Sequence, residues 1–290
     1  MPAIQAFFDK ATSTVTYLVS DPVTRLAALI DPVLDFDPKT ARLTTAGIDA
    51  ILKLAADRGL TIAWALDTHA HADHLTAADY IRRQTGAKVG TGADITAVQK
   101  VFAPLFNARD VVADGRAFDA LFEDEQRFAI GSLEVRVMHT PGHTPACVTY
   151  VIGDAAFVGD TVFMPDYGTA RADFPGGDAA TLYRSIRRIL SLPLETRIMT
   201  GHDYPPPGRG VPAWEASVAE HRASNVHIAD GVTEEAFVAM RQARDAALAP
   251  PVLILPSLQV NIRAGALPPP EDDGQQYLKL PINRLGVKAS

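Results

Sequence analysis

Thr61-Ile62-Ala63-Trp64-Ala65-Leu66 runs without a break into Asp67-Thr68-His69-Ala70-His71-Ala72-Asp73-His74. The first six residues read as a buried strand. The rest is a string of side chains that ligate metals. His69 and His71 are two residues apart, so in extended backbone they point the same way and can grip one cation. Asp73 and His74 follow where the chain turns, and can face a second position beside the first. With 8 His and 25 Asp in the chain, random placement gives an HxHxDH string about 5 × 10⁻⁴ times per chain, so composition alone does not produce it. Neutral imidazole and carboxylate suit zinc, iron and manganese. The single cysteine, Cys147, excludes both a disulfide framework and a zinc site built from several thiolates.

Two more segments carry histidine beside turn residues: Thr140-Pro141-Gly142-His143-Thr144 and Gly201-His202-Asp203-Tyr204. Each follows an apolar run, Leu133–Met138 and Arg197–Thr200. Asp160 stands likewise at the end of a run that closes Val158-Gly159. Rigid strands that deliver ligands to one rim hold a metal in fixed geometry. A lone histidine is more often a solvated loop residue or a satisfied core polar group, and His221 and His227 take that reading. His139 does too, although it lies close enough to the cluster to support a ligand. Cys147 opens an apolar strand and reads as a small buried hydrophobe.

Around these segments the pattern predicts strands at Val15–Val19 and Leu26–Ile30, joined by a Ser-Asp-Pro turn. It predicts a helix over Thr44–Arg58, a helix over Leu75–Gln84 and a strand at Lys88–Gly90. Leu133–His139 alternates as a half-buried strand. Cys147–Ile152 and Ala155–Val158 form a hairpin about Gly153-Asp154. Helices follow over Asp178–Leu190, near Pro212–Ala223 and near Glu234–Leu248, then an apolar run Val252–Ile262 and a Pro-rich tail. Blocks of strands alternate with helices, which implies sheets between helices in an α/β or α+β arrangement.

The chain has 290 residues, 27 Lys and Arg against 34 Asp and Glu, and a net charge of −7. With no basic run, it is a poor partner for nucleic acid or an anionic membrane. No apolar stretch reaches the ~18 residues of a membrane span, and the opening residues lack the pattern of a signal peptide. The expectation is a cytoplasmic protein. The run Val252–Ile262 is apolar enough to pack on the main domain or on a second subunit, so a homodimer is expected.

His69-Ala70-His71-Ala72-Asp73-His74, Thr140-Pro141-Gly142-His143, Gly159-Asp160 and Gly201-His202 together resemble the metallo-β-lactamase superfamily, over about Thr14 to Val226. The resemblance implies an αββα sandwich with a metal site at one edge of paired sheets. It implies a main domain over residues 1–230 and an extension over 231–290 packed on it. By motif, His69, His71 and His143 fall at a first metal position, Asp73, His74 and His202 at a second, and Asp160 bridges. The persulfide dioxygenase branch, a relative of glyoxalase II, is the nearer likeness. It is carried by Cys147-Val148-Thr149-Tyr150, Arg171-Ala172-Asp173-Phe174, Thr181-Leu182-Tyr183 and His202-Asp203-Tyr204. The stretch Met164–Ala170 departs from that branch.

That branch implies one Fe(II) held by His69, His143 and Asp160, with Arg171 and Tyr204 lining a thiol pocket and Asp73 beside the reacting groups. The expected reaction takes a persulfide such as glutathione persulfide and O₂ to sulfite and thiol. His71, Asp73, His74 and His202 would then orient the pocket. The alternative is a one- or two-zinc hydrolase of a thioester or lactone that uses all seven ligands. A third reading, a non-catalytic metal-binding protein, predicts broken ligand sets, which the sequence does not show.

Overall fold

The structure, a computed structural model, describes residues 1–284. The last residues of the Pro-rich tail, 285–290, lie outside it. The chain opens with antiparallel strands β1 (Ala3–Phe8), β2 (Val15–Ser20) and β3 (Leu26–Ile30). A hairpin of β4 (Val33–Asp37) and β5 (Arg42–Thr44) leads into α1 (Ala46–Asp57). β6 (Thr61–Leu66) then lies parallel to β3. Beyond the histidine loop come β7 (Leu75–Thr76), α2 (Ala78–Thr85), β8 (Lys88–Gly92), α3 (Ile95–Leu105) and β9 (Ala120–Phe122). The second half holds β10 (Arg127–Ile130), β11 (Leu133–His139), β12 (Val148–Ile152), β13 (Ala155–Gly159), α4 (Ala179–Ile189), β14 (Arg197–Thr200) and β15 (Glu215–Ser217). It ends in α5 (Val218–Ser224), α6 (Glu234–Asp245) and α7 (Ile254–Asn261).

Two six-stranded sheets result, ordered β1-β2-β3-β6-β8-β9 and β10-β11-β12-β13-β14-β15. The period-2 alternation decides how they stack. Val15, Tyr17 and Val19 of β2 point into the layer between the sheets, where they meet Val137, Tyr150 and Phe157. Leu18, one residue out of phase, joins the opposite layer with Ile48 of α1, Ile81 of α2 and Phe102 of α3. On the far side, Ala156 and Val158 of β13 pack under Leu182 and Ile186 of α4, Val218 of α5 and Phe237 of α6. The architecture is an αββα sandwich.

Two expectations shift. Leu75 and Thr76 are not helical: they pair with Leu34 and Val33, and α2 starts at Ala78. Thr76 is held out of the helix because its hydroxyl donates to Asp67 Oδ1 at 2.8 Å and its N–H donates to Asn261 Oδ1 at 2.9 Å. Of the segment expected as a helix near Pro212–Ala223, residues 212–214 are irregular and Glu215–Ser217 is strand β15, which pairs with β14. Ser217 and Glu220 form a reciprocal capping box that starts α5 there. The run Val252–Ile262 folds as α7, whose Leu258 and Val260 enter the α1–α3 layer.

β3 and β6 run parallel, as do β13 and β14. Their C-terminal ends, with that of β11, face one edge of the sandwich. Asp31, Asp67, Asp160 and Gly201-His202 leave the sheets at that edge. Two glycines there are obligatory. Gly142 has φ +134°, and a Cβ on it would stand 2.3 Å from Leu182 Cα, so only glycine lets the His143 loop pass α4. Gly159 has φ +49°, and a Cβ on it would meet Thr68 Oγ1 at 2.2 Å.

Candidate metal centre

The histidine loop is fixed from behind. Asp31 is buried at the end of β3, where Oδ1 accepts the Thr68 N–H at 2.7 Å and Oδ2 accepts the Thr68 hydroxyl at 2.9 Å. His71 Nε2 lies 3.0 Å from Asp31 Oδ1, which turns Nδ1 toward the site. Burial pushes the His71 imidazole down, but the Asp31 carboxylate outweighs it and lifts it to about 9. His69 is buried too, and burial together with the neighbouring imidazoles of His71 and His143 holds it well below the usual histidine range.

His143, His202 and Asp160 arrive from the second sheet. His143 Nδ1 lies 2.8 Å from the Arg171 carbonyl and donates to it, leaving Nε2 free. His202 Nδ1 likewise faces the Ser13 carbonyl at 3.0 Å. Asp160 Oδ2 lies 4.0 Å from His69 Nε2 and 3.8 Å from His143 Nε2. Its Oδ1 lies 3.3 Å from His202 Nε2, which is also 3.3 Å from Asp73 Oδ2. Burial lowers the His202 imidazole, yet Asp160 and Asp73 raise it to about 10. Asp73 Oδ2 also takes His74 Nδ1 at 2.9 Å, and burial with His71 holds His74 below its ordinary value.

Three sets of donors each lie within 4.8 Å of one another: His69, His143 and Asp160; His71, Asp73 and His74; and Asp73, Asp160 and His202. His69 Nε2, His71 Nδ1, His74 Nε2 and Asp160 Oδ1 are buried without a hydrogen-bond partner. Buried polar atoms are almost always paired, so orphaned nitrogen and oxygen atoms in one cluster fit a cation. A fourth set, Asp31, Asp67 and His71, is a supporting layer: Asp31 holds His71 and Thr68, and Asp67 holds Thr76. Burial lifts the Asp67 carboxyl to about 7.

A cavity of about 500 Å³ opens over Asp73, His143 and Asp160. Phe163, Tyr167 and Tyr204 wall one side, and Leu248, Ala249 and Leu253 the other. The Tyr204 ring stacks on His202 with centroids 5.6 Å apart and leans on Tyr167 at 5.1 Å. Packing, then Asp160 and Asp73, raises its phenol above the ordinary value, so it stays a hydrogen-bond donor.

Arg171 also lines the cavity, but its fork is not free. Nε donates to Asp173 Oδ1 at 2.5 Å, Nη2 to Asp173 Oδ2 at 2.7 Å and Nη1 to the Ala249 carbonyl at 2.7 Å. The expected fork for a substrate carboxylate is thus already bidentate on Asp173, because the two residues sit two apart on one short loop. His139 supports the loop rather than a ligand, with Nε2 2.8 Å from the Pro145 carbonyl. Cys147 is buried and hydrogen-bonded to Thr144, and burial pushes its thiol up to about 12.

Sequence reasoning missed Asp31, Asp67, and the Arg241–Asp245 pair on α6. The first two were findable: each ends an apolar strand, the rule that picked out Asp160.

The sequence pattern described as the metallo-beta-lactamase superfamily matches residues 10–202. The chain belongs to this superfamily. A probable metallo-hydrolase of Burkholderia pseudomallei is 53% identical over 293 residues, covering 97% of this chain and 99% of the relative. A beta-lactamase hydrolase-like protein of Agrobacterium fabrum is 56% identical over 98% of this chain, which spans 66% of that longer relative. The mitochondrial persulfide dioxygenase ETHE1 of Homo sapiens is 33% identical over 204 residues, 69% of this chain and 68% of the relative. Among solved structures, ETHE1 from Myxococcus xanthus superposes with a TM-score of 0.73 at 31% identity, covering 91% of this chain and 100% of that one. Membership of this superfamily and the clusters of histidine and aspartate donors support a metal ion at this site. No helix among the described residues is long and apolar enough to cross a membrane.

Proposed function

We propose that the protein is an iron-dependent dioxygenase of a low-molecular-weight persulfide. The balanced reaction is RSSH + O₂ + H₂O → RSH + SO₃²⁻ + 2H⁺. The S–S bond breaks, the outer sulfur leaves as sulfite, and O₂ takes up the four electrons lost by sulfur. The observation that carries this reading is the set His69, His143 and Asp160, with the last two facing the cavity. Two imidazoles and one carboxylate would hold Fe(II) and leave positions for both reactants. Bound there, iron would supply the path for electrons between persulfide and O₂.

The chain's own residues hold the substrate. Phe163, Tyr167 and Tyr204 offer an apolar wall to a thiol carrier and shield the reacting sulfur from water. The protonated Tyr204 hydroxyl is a donor for the substrate sulfur. Asp73 holds His74 and His202, which keeps the neighbouring imidazoles oriented. The likeness to persulfide dioxygenases supports this reading.

A dinuclear hydrolase of a thioester or lactone is the second reading. It is favoured by the intact second group His71, Asp73, His74 and His202, and by the relative described as a metallo-hydrolase. Anaerobic purification, metal analysis and an oxygen electrode with glutathione persulfide decide between them. The proposal expects about one iron per chain and substrate-dependent O₂ uptake. Two zinc ions without O₂ uptake overturn it.

A further inference from the structure

The loop Thr169–Ala172 carries the carbonyl that orients His143, and it is gripped by α6, which lies beyond the superfamily match. Arg241 and Asp245 are one helical turn apart on α6 and only 2% and 6% exposed. Arg241 Nε donates to Asp245 Oδ1 at 2.9 Å, and its Nη1 donates to the Thr169 carbonyl at 3.1 Å. The other oxygen, Asp245 Oδ2, accepts the Ala172 N–H at 2.8 Å. The pair thus fixes the backbone on both sides of Arg171. Past the end of α6, the Ala249 carbonyl accepts from the Arg171 guanidinium. The Arg171 carbonyl, so placed, accepts from His143 Nδ1 at 2.8 Å. Thr169 also bridges to Val162, two residues beyond Asp160.

We infer that the buried Arg241–Asp245 pair is a positioning device for the metal centre. It holds the Arg171 carbonyl where it keeps His143 in the tautomer whose Nε2 faces the cation. A buried ion pair contributes little net stability, because desolvation offsets the attraction. Its geometric effect is larger: partners that orient a ligand typically alter metal affinity 10–100-fold. The inference rests on His143 being a ligand, and holds for the iron and the zinc reading alike.

The test uses the full chain loaded with Co(II), whose visible absorption reports ligand geometry, and with Zn(II) under chelator competition. Arg241→Lys keeps the charge but loses the fork, and cannot hold Asp245 and the Thr169 carbonyl together. It is expected to weaken metal binding about tenfold and to shift the Co(II) bands. The His143 Nδ1–H signal in the NMR spectrum of the Zn(II) protein should shift as well. Asp245→Glu, which displaces the carboxylate from the Ala172 N–H, should do the same and carries the test if Arg241→Lys fails to fold. Arg263→Lys is the control. Arg263 is 9% exposed and bidentate on Asp110, outside the site, so its loss should lower stability and leave affinity and spectra unchanged. Wild-type affinity and bands in a folded Arg241→Lys or Asp245→Glu protein overturn the inference. So do changes equal to those of Arg263→Lys. Failure of O₂ uptake with both metal readouts as expected counts against the dioxygenase reading alone.

Discussion

The histidine loop and the Arg171 loop face each other across one cavity, and they are held in opposite ways. His69, His71 and His74 are fixed mainly from within their own sheet, with one clamp from α7, where Asn261 Nδ2 donates to the His71 and His74 carbonyls at 2.8 Å. Asp31 at the end of β3 and Asp67 at the end of β6 pin Thr68, His71 and Thr76 by direct hydrogen bonds. Apart from the Val162–Thr169 bridge, the Arg171 loop has no strand behind it. Its hydrogen bonds come from His227 before α6, from Arg241 and Asp245 within it, and from Ala249 beyond it. One wall is mainly strand-end chemistry; the other is assembled from chain 58 to 78 residues downstream. The first holds three of the candidate ligands; the second holds the carbonyl that orients a fourth, His143, and lines the cavity.

The largest effects should fall where both walls meet. Asp160→Ala and His69→Ala remove donors from the group His69, His143 and Asp160. Each should lose bound metal and turnover together, read by metal analysis and O₂ uptake, and full metal content in either would remove that residue from the site. His74→Ala sharpens the same point, because a mononuclear iron enzyme should keep its iron whereas a dinuclear hydrolase should lose its second ion. Asp31→Asn tests the sheet-held wall. It leaves the His71 ring and the Thr68 hydroxyl without their charged acceptor, in a place with almost no solvent. Stability should fall by about 2–4 kcal/mol in urea titration, with metal affinity down by roughly 10-fold or more. A near-silent Asp31→Asn would mean that the loop holds itself.

The same contrast explains what the sequence disclosed. Strand-end ligands are legible because period 2 and a turn residue place them within a few positions of an apolar run, as with His69 after Leu66 and Asp160 after Val158. The alternation marks the buried face of each strand but leaves α/β and α+β open; the αββα sandwich is implied by the resemblance of the ligand motifs. The sequence pattern extends the helix over Thr76, whereas the bonds that hold it out, to Asp67 and Asn261, include one from 185 residues away. Ser217-Val218-Ala219-Glu220 carried the capping signature of α5 in plain view, so that boundary was readable. Nothing local in the sequence says whether Asp173 folds back onto Arg171, so the pattern alone leaves the fork free. Arg241 and Asp245, one turn apart on a helix, look in sequence like an ordinary surface pair. Only the packing of α6 buries them.

Arg171→Ala probes the tertiary wall directly. With the guanidinium occupied by Asp173 and the Ala249 carbonyl, its removal loosens the loop rather than deleting a substrate contact. kcat and KM should both change, by about 3- to 10-fold, with some loss of metal affinity through His143, as expected for an outer-layer partner. A rise in KM alone for an anionic thiol persulfide would instead place the guanidinium on the substrate.

The smallest effect lies in what anchors the far end of that wall. His221 of α5 is fully buried, accepts from Asn225 Nδ2 at 3.2 Å, and leaves Nε2 without a partner. Burial lowers its imidazole from 6.5 to about 4. The folded state therefore binds fewer protons than the unfolded chain between those two values. Its contribution is fully present above pH 6.5 and is lost as pH falls toward 4, by about 1 kcal/mol at pH 5.5. His221→Gln, which stays neutral, should flatten that acid limb in urea titrations at pH 7.5 and 5.5. An unchanged acid limb would mean that His221 titrates alike in both states, and would leave the acid sensitivity of this region to His227, which burial also lowers to about 4.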